Sequence, residues 1–322
     1  MTLNRLFSVA PMMGYTDRHA RYLFRLISSN SLLYTEMITM QALQHGDRKK
    51  LLAHDPFEYP LALQLGGNHP HKLGECAKMG EDVGFHEINL NVGCPSDRVK
   101  SGNFGACLML DPDRVADCIH AMVSAVRIPV TIKCRIGVDH HDSYPYLSNF
   151  INKIRNAGCE VFIIHARKAW LNGLSPKENR EIPPLRYEVV EQIKKDFPHL
   201  TIVINGGIKT IGDIHQHLPN VDGVMLGREV YANPYLLAEV EKKFFHQSMT
   251  PTRFDIIEKF IPYIDEQLQK NIKFSNITRH LLGIFQDQRG GRVWRRMLSG
   301  KKSENTDIIF EALQQVKVLQ NT

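Results

Sequence analysis

Short apolar runs recur along the first 240 or so positions, separated by segments whose apolar residues return every three or four places. The runs are LFSVAPM (6–12), LLYTEMI (32–38), PLALQL (60–65), FHEINLN (85–91), PVTIKCRI (129–136), VFIIHAR (161–167), TIVINGG (201–207) and VDGVMLG (221–227). Several are β-branched and nearly continuous in apolar character, the pattern of parallel strands covered on both faces. Between them, 111–127 and 187–197 carry helical periodicity. Eight strand–helix alternations predict an α/β fold of the (β/α)8 barrel type. After Phe245 the pattern changes. Residues 246–253 read as a linker, and helical periodicity alone follows in 254–270, 276–288, 291–300 and 307–319. Two domains are predicted, a barrel over 1–245 and a small helical domain over 246–322.

Composition adds little until charge is located. The 322 residues are 43% hydrophobic and 23% charged, ordinary for a soluble globular chain. Six cysteines form no CxxC pair and no zinc-type spacing with histidine, so reduced thiols and no metal are expected. The N-terminus lacks the long apolar region of a signal peptide, and no run approaches membrane-spanning length. The expected location is the cytoplasm, with no membrane partner. The net charge is +6, and the stretch from Arg279 to Lys302 holds seven basic residues (Arg279, Arg289, Arg292, Arg295, Arg296, Lys301, Lys302) against Asp287. Seven minus one equals the excess of the whole chain. A solvated helix face would account for it, and so would a surface that grips a phosphate backbone.

Barrel enzymes carry their chemistry at the C-terminal ends of the strands. Here those ends hold Met12 and Met13, Glu36, Gln64, Asn89, Asn91, Lys133, Arg135, His165, Arg167, Asn205–Gly206–Gly207 and Gly227–Arg228. Each alone has a structural explanation; together, at one end, they predict a site. Glycines after the seventh and eighth strands let backbone N–H groups approach a phosphate, with Arg228 as cationic partner. Gln64 and Asn89 offer amides to the edge of a ring, and Lys133 offers a positive charge, an arrangement that suits a flavin. No G-x-G-x-x-G follows the first strand, and one phosphate site is visible, so FMN is expected rather than a dinucleotide. Cys94 lies between Gly93 and Pro95 on the loop after the fourth strand. It reads either as a nucleophile or as a general acid facing a substrate stacked on the flavin.

With these residues in hand, the chain resembles the tRNA-dihydrouridine synthases, and most of all their bacterial A-type subgroup, which modifies uridines 20 and 20a of the D-loop. The resemblance rests on APMMGYTDRHAR (10–21), LQLGG (63–67), INLNVGCPSDRVKSGNFGACLM (88–109), TIKCRIG (131–137), IIHARKAWLNGLSPKENREIPPL (163–185), INGGI (204–208) and VMLGREVYANPYL (224–236). It implies FMN held by Pro11, Met12, Met13, Gln64, Lys133, His165, Asn205, Gly206, Gly207, Gly227 and Arg228. It also implies NADPH as reductant, and Cys94 as proton donor to C5 of uridine after a hydride reaches C6. Asn91, Lys177 and Arg180 match positions that contact the tRNA or its target uridine. The helical domain would grip tRNA, with Arg292, Arg295 and Arg296 at its backbone, and nothing demands more than a monomer. Arg289 departs from the less charged residue expected of relatives, which touches only the detail of the tRNA footprint. A rival is a small-molecule FMN barrel such as a dihydroorotate or dihydropyrimidine dehydrogenase, which has no need of an arginine-rich helical appendage. A flavoprotein that binds tRNA without chemistry has no need of Cys94, Lys133 and His165.

Overall fold

The computed structural model describes residues 3–300 and 305–321. Nine parallel strands form one sheet: β1 (Phe7–Val9), β2 (Leu32–Tyr34), β3 (Ile38–Thr39), β4 (Leu61–Gly66), β5 (Glu87–Val92), β6 (Val130–Arg135), β7 (Val161–His165), β8 (Thr201–Asn205) and β9 (Gly223–Leu226). The order is β2-β1-β9-β8-β7-β6-β5-β4-β3, and a further pairing of β2 with β4 closes the ring. Helices between successive strands complete the (β/α)8 barrel predicted from the alternation.

One expected strand is split. The run 32–38 breaks after Tyr34, and its continuation Ile38–Thr39 pairs with Leu65 and Gly66 of β4. At the break the Thr35 N–H donates to Ala62 O (2.9 Å), and the Thr35 hydroxyl accepts from Gln64 N (3.1 Å). Two backbone N–H groups at the break, those of Thr35 and Gln64, thereby keep their acceptors.

Period-two alternation sorts side chains to two sides of the barrel wall. A small interior cluster comprises Ala10, Leu32, Tyr34, Ala62, Val161, Ile163, Val203 and Met225. The outer-facing residues join the helices in one large core that also takes in Ile256, Phe260, Ile277, Phe285 and Trp294 of the C-terminal segment. Register sets the polar interior positions side by side. Gln64 is opposite Asn89, Asn89 opposite Thr131, Asn91 opposite Lys133, Arg135 opposite His165, and His165 opposite Asn205.

The C-terminal segment carries helices Arg253–Gln269, Phe274–Thr278, Gly291–Leu298 and Asp307–Asn321. The continuous helix expected over 276–288 stops early, with a 3-10 turn at Arg279–Leu281. A Cβ on Gly283 would lie 2.4 Å from Ala232 O, so the chain there runs hard against the barrel. Asp287 and Gly290 then adopt positive φ. The segment is fastened to helix Arg18–Ile27, whose N-cap Asp17 pairs with Arg279 (2.5 Å) and His280 (3.0 Å). His19 bonds the Tyr263 hydroxyl at 2.7 Å, and Tyr22 stacks on Tyr263 with ring centroids 4.0 Å apart. Within the basic stretch, Arg279 therefore has a structural partner, and Lys301 and Lys302 lie outside the described residues.

Candidate active site

The strand ends singled out above lie at one end of the barrel, because all its strands are parallel. Cys94 stands on the loop after β5 and is half-buried. Its thiol bonds the Ser96 hydroxyl at 3.5 Å, and no histidine contacts it among the described residues. The loop is held from below and from the side. Asn91 Oδ1 accepts from Gly93 N (3.1 Å) and Cys94 N (3.0 Å), while Arg135 Nε donates to Gly93 O (2.9 Å). Cys94 O in turn accepts from Ala106 N at 2.9 Å, which pins the glycine-studded segment that follows. Gly105 has φ +73°, and a Cβ there would lie 2.6 Å from Cys94 O, so only glycine permits this crossing.

Positive charge surrounds the thiol. Lys133, Arg135 and Arg180 all lie within electrostatic range of Cys94. Lys133 Nζ donates to Asn205 Oδ1 at 3.0 Å, and burial beside Arg135 pushes its ammonium down to about 8. His165, one strand further, is held well below its ordinary range by burial and by Arg135, Lys133, Arg167 and Arg180. It is a neutral imidazole at neutral pH. Asn205 is itself fixed, donating from Nδ2 to Met225 O at 2.7 Å.

The ends of β8 and β9 form a cradle. Gly206 and Gly207 have φ of +115° and +71°. A Cβ on Gly206 would meet the His165 ring at 3.1–3.3 Å, and one on Gly227 would meet Met12 Sδ at 3.2 Å. The backbone N–H groups of Gly206, Gly207 and Gly227 find no acceptor among the described residues. Beside them Arg228 pairs with Glu181 at 2.9 Å, across an exposed rim. Three buried polar atoms here also lack partners among the described residues: His165 Nδ1, Arg167 Nη1 and Arg180 Nε. Free N–H donors, orphaned cationic nitrogens and glycines too close for a side chain fit an anionic cofactor with a flat ring.

Pro11 and Met12 are half-buried on the loop after β1, and Met13 is exposed. Lys177 is exposed at the start of the 3-10 turn Glu178–Arg180. Arg292, Arg295 and Arg296 are elsewhere, on helix Gly291–Leu298, and the structure does not bring them to the mouth. Arg292 and Arg296 are exposed without a polar partner among the described residues, and Arg295 bonds Gln286 at 3.1 Å.

The model of the dihydrouridine synthase (Dus) family matches residues 8–321. The chain belongs to the dihydrouridine synthase family. A tRNA-dihydrouridine(20/20a) synthase of Synechocystis sp. is 57% identical over 314 residues, covering 96% of this chain and 94% of the relative. Proteins of the same name from Vibrio cholerae and Haemophilus ducreyi are 52% and 55% identical, each covering at least 96% of both chains.

For a dihydrouridine synthase, four residues shape the mouth in ways the sequence did not show. Arg135 stood among the strand ends but is a clamp, bonding Gly93 O, Lys168 O and Asn179 O. Asn179 is fully buried and organises the loop after β7 through Trp170 and Leu174. Glu87 and Thr131 lie beneath the site inside the barrel. Their signal was available in EINLN, where polar residues at 87, 89 and 91 alternate with Ile88 and Leu90. No group of three or more His, Cys, Asp or Glu side chains placed to hold a metal occurs among the described residues. No helix among them is long and apolar enough to cross a membrane.

Proposed function

We propose that this chain reduces uridine to 5,6-dihydrouridine in the D-loop of tRNA, at positions 20 and 20a, using FMN at the barrel mouth and NADPH as reductant. The observation that carries the reading is the convergence of Cys94, Asn91, Lys133, His165 and the glycine cradle on one mouth, in a chain of this family. Full-length relatives named for tRNA positions 20 and 20a support the substrate.

The residues present fit FMN. Gly206, Gly207, Gly227 and Arg228 would take its phosphate with backbone N–H groups and a guanidinium. Gln64, Lys133 and His165, with Asn205 holding Lys133, would address the ring edge, and Pro11, Met12 and Met13 would flank it. When bound, FMN supplies a hydride to C6 of the uracil, whose C5=C6 bond is conjugated to the C4 carbonyl. C5 must then gain a proton. The Cys94 S–H bond breaks as the new C–H bond forms, with Lys133, Arg135 and Arg180 within electrostatic range of the sulfur. Asn91 holds the backbone of Cys94, which fixes the loop that carries the thiol.

A base in folded RNA must leave its stack to reach this mouth. Lys177 and Arg180 on the rim, and residues 246–322 with Arg292, Arg295 and Arg296, are the surfaces assigned to holding the RNA around it. We read that helical segment as a tRNA-gripping domain joined to the barrel near 245. We read the protein as acting as a monomer, and the tRNA substrate supports a cytoplasmic location.

The test is incubation of the purified protein with unmodified tRNA and NADPH, with dihydrouridine as readout. The expected result is product in the D-loop and a loss of about 10²-fold or more in Cys94→Ala, the usual scale for removing a general acid. A mutant with full rate would transfer the proton donor's role to another group. A wild type that reduces free pyrimidines and leaves tRNA untouched would favour the small-molecule reading.

A further inference from the structure

A single polar row runs through the barrel interior from the Cys94 loop to its opposite end. Asn91 Nδ2 donates to Gln64 Oε1 (2.9 Å), and Gln64 Nε2 donates to Asn89 Oδ1 (2.8 Å). Asn89 Nδ2 then donates to Thr131 Oγ1 (2.8 Å), and the Thr131 hydroxyl donates to Glu87 Oε1 (2.6 Å). All five side chains are buried: Gln64, Asn89, Thr131 and Glu87 are at most 1% exposed and Asn91 8%. The row ends on a carboxylate that also accepts from the Tyr34 hydroxyl (2.6 Å) and pairs with Arg5.

The direction of every bond follows from that end. The Glu87 carboxylate, paired with Arg5, accepts from Thr131, so the one proton of the Thr131 hydroxyl is committed to it. Thr131 then offers Asn89 only lone pairs, and Asn89 must turn its NH2 toward it. Its carbonyl is left for the Gln64 NH2, and the Gln64 carbonyl for the Asn91 NH2. The Asn91 carbonyl is thereby aimed at the N–H groups of Gly93 and Cys94. A flipped amide anywhere would set like groups against each other where no water relieves them.

We propose that Thr131 and Glu87 are positioning residues: their acceptor-ended row fixes the amide faces of Gln64 and Asn91, and through Asn91 the conformation of the Cys94 loop. The inference deepens the function proposed above and rests on it for the role of Cys94. It also fixes what Gln64 presents to the mouth, since one N–H and the carbonyl of that amide are already engaged along the row.

The test compares two hydroxyl deletions at the same carboxylate oxygen. Thr131→Val breaks the row, and Tyr34→Phe removes a Glu87 partner that lies off it. Iodoacetamide labelling of the purified, folded proteins is followed at Cys94 by peptide mass spectrometry, with half-buried Cys107 as internal reference. Thr131→Val is expected to label Cys94 faster by about fivefold, the factor equivalent to one buried hydrogen bond. Thr131→Ser restores the hydroxyl and the wild-type rate, and Tyr34→Phe leaves it unchanged. If Thr131→Val fails to fold, Thr131→Ala, which cannot overpack the barrel, takes its place. Equal Cys94 rates in wild type and the Thr131 variant, or equal acceleration in Tyr34→Phe, would overturn the proposal. Dihydrouridine formation by the wild type is scored separately, so failure of the proposed function leaves the labelling contrast readable.

Discussion

Gly206 shows how much of the site rests on single residues. Its φ of +115° excludes ordinary side chains, and its missing Cβ lets the His165 ring approach to 3.1–3.3 Å of where that atom would be. Gly206→Ala must strain the backbone and displace His165 together, at a cost of about 1–3 kcal/mol. The expected outcome is a lower melting temperature and, on the proposed function, less FMN retained per chain, read by absorbance after gel filtration. Lys133 and His165 show the same economy in charge. Burial among arginines lowers both, leaving one a weakened cation and the other neutral. No inspection of KCR or IIH in isolation would assign those states.

At the scale of elements, the junction between helix Arg18–Ile27 and the C-terminal helices is a pH-sensitive seam. Burial pushes His19 down to about 4 from its ordinary 6.5, against the pull of Asp17. Between those values the unfolded chain binds a proton that the folded chain excludes. Stability therefore rises with pH across this window and is lost as pH falls from 6.5 toward 4. Asp17 acts in the same sense lower down, because bonds from His280 and Ala20 hold its carboxyl below the usual range despite burial. Acidification from pH 7 to 5 should cost about 2 kcal/mol through His19 alone. Denaturant titrations of wild type and His19→Phe at both pH values check it, the variant showing the flatter dependence.

At the scale of the molecule, two basic regions bear on the proposed substrate. One is the mouth, with Lys133, Arg135, Arg167, Arg180 and Arg228; the other is helix Gly291–Leu298, with Arg292 and Arg296 exposed. Buried Trp294, donating from Nε1 to Leu281 O at 2.8 Å, fixes which side of that helix faces out. If both regions hold RNA, affinity falls steeply with salt. Arg292→Ala with Arg296→Ala should weaken tRNA binding and reduce the slope of log K against log salt by about 1–2. Filter binding across a salt series checks this, and turnover at saturating tRNA should be unaffected.

The alternation of apolar runs determined the barrel by itself, because parallel strands buried on both faces and their crossover helices leave few other closed arrangements. The same runs marked the mouth, since polar residues at the ends of strands 4 to 9 must face one another once the ring closes. The break after Tyr34 and the early stop of the helix at Thr278 were not legible, because each depends on what the backbone meets across space, Ala62 and Gln64 in one case and Ala232 in the other. Nor was it legible that Arg279 in the basic stretch turns to Asp17 while Arg292 and Arg296 face outward. Above all, only the tertiary structure linked Asn91 to Glu87. Residues on three strands became one hydrogen-bonded row because the register laid them side by side, and burial left them no water to bond instead.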